Sequence, residues 1–188
     1  MSPDDRYHRQ RLLPELDQAR IAAATVLVLG AGALGNHLLM QLALAGVGRL
    51  LVVDFDHIEG TNLHRMPLFR ARDVGAPKAE VCLRALSELA PDARVEAICE
   101  DFRFGVGLGR FRRADVVAGC LDSVQARVAA ARACALAPRK DCQTEISSGW
   151  RSWSSLRKRR NAPLPFSERL KRWPVSRSLR PSAKSTMS

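Results

Sequence analysis

Gly30-Ala31-Gly32-Ala33-Leu34-Gly35 stands between a continuous apolar, β-branched run, Thr25 to Leu29, and a Leu/Ala/Met-rich stretch that Gly46 closes. A G-x-G-x-x-G between a strand and a helix constrains the fold more than any other feature of this chain. The first glycine permits the tight turn, the second lets backbone approach a phosphate, and the third lets the helix pack closely on the strand. The helix start then offers free N–H groups and the positive end of a dipole. Alone such a turn is a weak signal, and it also occurs without a ligand. Between a buried strand and a helix it points to a nucleotide.

The rest of the pattern extends this unit. Arg49 to Asp54, Arg94 to Cys99 and Ala114 to Cys120 read as further strands, the first of them a nearly continuous apolar run, as expected of a strand covered on both faces. Leu12 to Ala24, Ala79 to Leu89 and Ser123 to Ala137 read as helices, the last with Asp122 or Ser123 as N-cap. His57 to Lys78 reads as a long irregular loop, a kind of segment that is usually functional or disordered. Strands alternating with helices predict a Rossmann-like, doubly wound α/β fold with a mainly parallel sheet and flanking helices.

Composition divides the chain near residue 140. Of the net charge of +11, residues 141–188 supply most: eleven Lys and Arg against three Asp and Glu. They also hold eleven of the fourteen serines and all three tryptophans. We therefore expect an incomplete nucleotide-binding domain over 1–140 and a poorly ordered basic tail over 141–188. No apolar run is long enough to span a membrane. The charged N-terminus, MSPDDRYHRQ, lacks a signal segment, which argues for the cytoplasm. Five scattered cysteines without a C-x-x-C argue against a disulfide framework and against a zinc site. Cys82, Cys99, Cys120 and Cys134 are expected in the core.

Asp54 ends the second strand, where a carboxylate commonly holds ribose hydroxyls. That suits NAD and any adenosine nucleotide alike, and such a carboxylate can also simply cap a turn. The loop beyond it carries Asn62, Arg65 and Lys78, with Arg6 and Arg9 upstream. A hydride-transfer site has little use for several cations. A nucleotide triphosphate that loses pyrophosphate needs them, because negative charge moves onto the leaving group, and each donor lost there costs roughly 3 kcal/mol of barrier.

Four segments, in order, resemble the ThiF/MoeB/HesA family, the bacterial relatives of the ubiquitin-activating enzymes. RYHRQ (Arg6 to Gln10) is similar to the family's R-Y-x-R-Q. GAGALG with AGVGRLLVVDFD resembles its glycine turn and second strand. EGTNLHR through VGAPK resembles S-N-L-x-R followed by G-x-P-K, and GCLDSVQAR resembles L-D-N-x-x-A-R. The resemblance implies ATP- and Mg2+-dependent adenylation of the C-terminal glycine of a ubiquitin-like or sulfur-carrier protein by a homodimer. It places Gly30, Gly32, Ala33 and Gly35 against the nucleotide through backbone and Asp54 on the ribose. It places Asn62 and Arg65 on phosphates, Lys78 on ribose or phosphate, and Asp122 on Mg2+. Arg9 would reach the active site of the partner subunit.

The chain departs from the family pattern at three positions. Gly119 stands where many relatives have a further Asp, Ser123 replaces the usual Asn, and His64 replaces a common Gln. The first two are expected to loosen metal or nucleotide contacts. After Arg139 neither the glycine-rich crossover nor the cysteine pairs of the family are visible. Cys142 comes too early to be its reactive cysteine. The expectation is that the chain leaves the family near Pro138, as a frame change or truncation would produce. Two alternatives follow. One is a nucleotide-binding module without catalysis whose basic tail docks on nucleic acid or a partner, nucleic acid being the less expected. The other is an NAD-dependent oxidoreductase.

Overall fold

Four parallel strands form one sheet in the order β3-β2-β1-β4 in the computed structural model, which describes residues 5–137. They are β1 (Thr25–Leu29), β2 (Arg49–Val53), β3 (Arg94–Ile98) and β4 (Val116–Gly119). Leu29 at the end of β1 lies opposite Val53 of β2 and Gly119 of β4, so three strands end level. The helices are α1 (Gln18–Ala23), α2 (Ala33–Ala45), α3 (Lys78–Leu89), α4 (Phe102–Gly105), α5 (Leu108–Arg113) and α6 (Val124–Leu136).

Alternation along the strands divides the core. Val26, Val28, Leu50 and Val52 face α2 and α3, packing with Leu39, Ala43, Val81 and Leu86. Leu27, Leu29, Leu51 and Val53 face the other way, against Phe102, Phe111 and Ala130. Both faces of β1 and β2 are therefore covered, which is why these runs carry no polar alternation. The doubly wound parallel architecture is as the sequence predicts. Among the described residues β4 has no strand on its outer side, leaving an open sheet edge.

Two local expectations are corrected, and a stretch that the sequence left unassigned takes shape. The single helix expected over Leu12 to Ala24 is a short 3-10 turn, Gln10–Leu12, followed by α1. Pro14 cannot donate to a helix through the junction, and Asp17 starts α1 afresh by accepting from the Arg20 amide at 3.1 Å. The stretch between β3 and β4 forms α4 and α5, whose glycines hid any helical signal. Cys99 is exposed, one residue past an edge strand, and does not join the core; Cys82 is buried, and Cys120 and Cys134 are half-buried. The expectations for residues 141–188 and for Cys142 lie outside the described residues.

Candidate nucleotide site

The glycine turn is built by close contacts. Gly30 has φ +97°, and a Cβ there would come within 2.6 Å of the Cys120 carbonyl oxygen. A Cβ on Gly35 would overlap the carbonyl oxygen of Gly30 itself. Gly32 is different: nothing lies within 4 Å of a Cβ built there, so its bareness leaves space instead of relieving a clash. Gly32 is also the N-cap of α2 and offers no side chain to the first amides of the helix. Those amides remain available to an anion.

Asp54 is committed to this turn. Its Oδ2 accepts from the Ala31 amide at 2.6 Å and its Oδ1 from the Asp56 amide at 2.8 Å. Burial raises its pKa above the ordinary Asp value, against the opposing pull of those two amides and of Lys78. Asn36, fully buried one turn into α2, completes the frame. Its amide donates to the Ala31 carbonyl at 2.7 Å, and its oxygen accepts from the Leu68 amide at 3.1 Å. This residue fastens the long 57–78 loop to the glycine turn. Its type and position on the turn helix were visible in the sequence, but a polar residue in an apolar helix gives no sign of its partners.

At the level ends of β1, β2 and β4 these elements enclose a cavity of about 680 Å3. Connections from β1 and β4 leave here toward opposite faces of the sheet, the crevice where ligands bind in such folds. Gly30, Gly32, Ala33, Asp54, Asn62, Arg65, Lys78 and Asp122 all line it. The sequence-predicted set thus converges from four separate stretches. Gly35 serves the same cavity indirectly, by packing under the turn.

The individual side chains are held in different ways. Lys78 opens α3, is almost buried, and donates from Nζ to Asp56 Oδ2 at 2.8 Å. Asn62 is buried, with its Oδ1 accepting from the Glu59 amide at 3.2 Å. Arg65 is exposed and donates from Nη1 to the Thr61 carbonyl at 2.7 Å. Ser123, not Asp122, caps α6, accepting from the Ala126 amide at 3.1 Å. Asp122 is exposed and lines the cavity, and no described residue is seen to bond its carboxylate.

The charge around the cavity is mixed, and one expected cation stays out of it. The cations do not form an uninterrupted rim, because Asp56 pairs with Lys78 and Asp101 with Arg103 inside the same lining. Hydrogen bonding from Arg103 holds the Asp101 carboxyl below the usual range. Arg6 does not join the site. It donates to the Leu89 carbonyl at 3.1 Å, at the far end of α3, while Tyr7 packs at Gly46, beyond the far end of α2. Arg9 lies two residues further on, exposed, and is not among the residues lining this cavity. Arg103 and Arg127 line the cavity but carried no assignment from the sequence. Cys120 lines it too, with burial pushing its thiol up to about 11, as burial pushes Cys82 up to about 12. Neither is an activated nucleophile.

Residues 6–155 match the model of the ThiF family. The chain belongs to that family. Among curated ThiF-type relatives, the sulfur carrier protein adenylyltransferase of Thermus thermophilus is 50% identical over 96 residues, covering 50% of this chain and 35% of the relative. The adenylyltransferase and sulfurtransferase MOCS3 of Mus musculus is 45% identical over 143 residues, covering 71% of this chain and 30% of the relative. The chain thus spans about a third of the length of these relatives. A solved structure of Escherichia coli MccB with ATP superposes with a TM-score of 0.62 at 30% identity, over 72% of this chain and 43% of MccB. The family match also runs past Pro138, where the resemblance was expected to end.

Proposed function

We propose that the cavity binds ATP with Mg2+ and activates the C-terminal glycine of a ubiquitin-like or sulfur-carrier protein by adenylation. A carrier carboxylate oxygen attacks the α-phosphorus, the bond from that phosphorus to the bridging oxygen breaks, and pyrophosphate leaves. An acyl-adenylate remains, with no net proton transfer and no side-chain nucleophile. The observation that carries this reading is the meeting of Arg65, Lys78 and Asp122 around one glycine turn.

The roles follow from the geometry. Amides at the start of α2 receive phosphate, and the bare Gly32 leaves room for it. Asp54, fixed by two amides, accepts from ribose hydroxyls with its remaining lone pairs. Arg65, Asn62 and Lys78 offset the repulsion between an anionic nucleophile and a polyanion. A cation that takes one or two carboxylates together with phosphate oxygens and water fits the unpartnered Asp122. Bound there, Mg2+ would neutralise phosphate charge as pyrophosphate departs. Arg9, remote from its own cavity, suits a role in the cavity of a second subunit of a homodimer. The reading places this chemistry in residues 1–140 and in the cytoplasm.

Calorimetry with ATP and with NAD, each in Mg2+ and in EDTA, tests the nucleotide. Pyrophosphate–ATP exchange with a sulfur-carrier protein ending in glycine tests the reaction. Exchange should appear with that carrier and vanish when its terminal glycine is deleted. Preference for NAD over ATP would overturn the reading.

A further inference from the structure

Arg127 closes the Gly119–Arg127 motif, yet the adenylation scheme gives it no part. From the first turn of α6 its Nε reaches back past Asp122 and donates to the Leu121 carbonyl at 2.8 Å. The residue on the other side of Asp122 is anchored as well: the Ser123 hydroxyl accepts from Ala126 N, and its carbonyl from Arg127 N at 3.1 Å. Asp122 thus sits on a short arch whose two feet, Leu121 and Ser123, are both tied to α6. Asp122 itself lines the cavity, and no described residue is seen to bond its carboxylate.

A carbonyl just beyond a strand end is free to turn unless something holds it. Arg127 does so with one N–H of a planar, permanently charged group, which a lysine cannot mimic in geometry. Support of this kind decides how well a carboxylate is aimed at a metal–phosphate centre. Among the described residues Arg127 is the one side chain seen to hold this arch from Leu121.

We propose that Arg127 is a positioning residue, which fixes the Leu121 carbonyl and thereby aims the Asp122 carboxylate at the metal-bound phosphates. The inference rests on the Mg2+-ATP reading of the cavity. Hydrogen exchange on the nucleotide-free protein and calorimetry with ATP test it together. In Arg127→Ala, the residue 126 and 127 amides, which bond back to Ser123 at the foot of the arch, should exchange faster while those in the middle of α6 stay protected. Affinity for ATP should fall about tenfold in Mg2+ and stay unchanged in EDTA. Arg127→Lys should behave like Arg127→Ala despite keeping the charge. Asp122→Asn should cost less in the Arg127→Ala background than in the wild type, because both substitutions act through the same carboxylate. Equal weakening in Mg2+ and in EDTA, with recovery in Arg127→Lys, would overturn the proposal in favour of a direct charge contact with phosphate. Unchanged exchange would overturn it as well. Should the wild-type chain bind no ATP, the nucleotide reading fails, while the exchange comparison still decides whether Arg127 holds the arch.

Discussion

Lys78 shows how one residue can matter less to the fold than to the chemistry. Its partner Asp56 is half-exposed, so solvent shares the charge that Lys78→Ala would leave behind. Lys78 itself is nearly buried, so we expect a loss of about 1–2 kcal/mol in chemical unfolding, from its packed stem and the ion pair together. Pyrophosphate exchange should fall by about a hundredfold or more, the scale of losing one preorganised donor to a developing charge. Asp54 gives a second prediction, in which two curves run in opposite directions. Because burial raises its pKa in the folded state, its own contribution to stability is present below pH 3.8 and lost as pH rises through the folded value. Its service to ribose requires the ionised form, so ATP affinity should rise over that same interval. Subtracting Asp54→Asn from wild type, in thermal melts and in ATP titrations, should reveal opposite slopes above pH 3.8; parallel slopes would contradict the assignment. The type and place of Asp54 were legible in the sequence. Its bonds to Ala31 and Asp56 were not, because they depend on the path of the turn.

At the scale of elements, two glycines of one turn should respond differently to the same added methyl. Gly35→Ala drives a Cβ into the Gly30 carbonyl, a backbone atom that cannot step aside. We expect it to destabilise the fold by several kcal/mol or to abolish it, as overpacking and strain at a fixed turn do. Gly32→Ala meets open space and should melt within a few degrees of wild type. Its ATP affinity should nevertheless drop at least tenfold, since the methyl fills the approach to the α2 amides. Paired melting curves and titrations separate the two effects, and equal damage from both variants would refute the distinction. β1 and β2 were readable because burial on two faces leaves uninterrupted apolar runs, and α2, α3 and α6 because helix ends leave glycine, proline and serine signals; the edge strand β3, Arg94–Ile98, was readable from its alternation. α4 and α5 were not readable. They are short, glycine-bearing and stabilised by the burial of Phe102 and Phe111, a tertiary term that periodicity does not carry.

At the scale of the whole molecule, the position of Arg9 becomes the question. Tyr7 and Arg6 dock at the far ends of α2 and α3, by the strand ends opposite the cavity. Arg9 follows in that docked segment, is exposed, and does not line the cavity of its own subunit. It can serve the phosphates of a second copy whose cavity is turned toward it. If so, Arg9→Ala and Arg65→Ala subunits should each be defective alone, and a mixture should regain activity. One of every two sites in a mixed dimer would then carry both arginines, so random pairing restores about a quarter of wild-type pyrophosphate exchange. Recovery should disappear when either variant is diluted below its dimerisation range, which sedimentation can locate. Full activity of Arg9→Ala alone would remove Arg9 from the site. A mixture no more active than its parts would confine each site to a single chain.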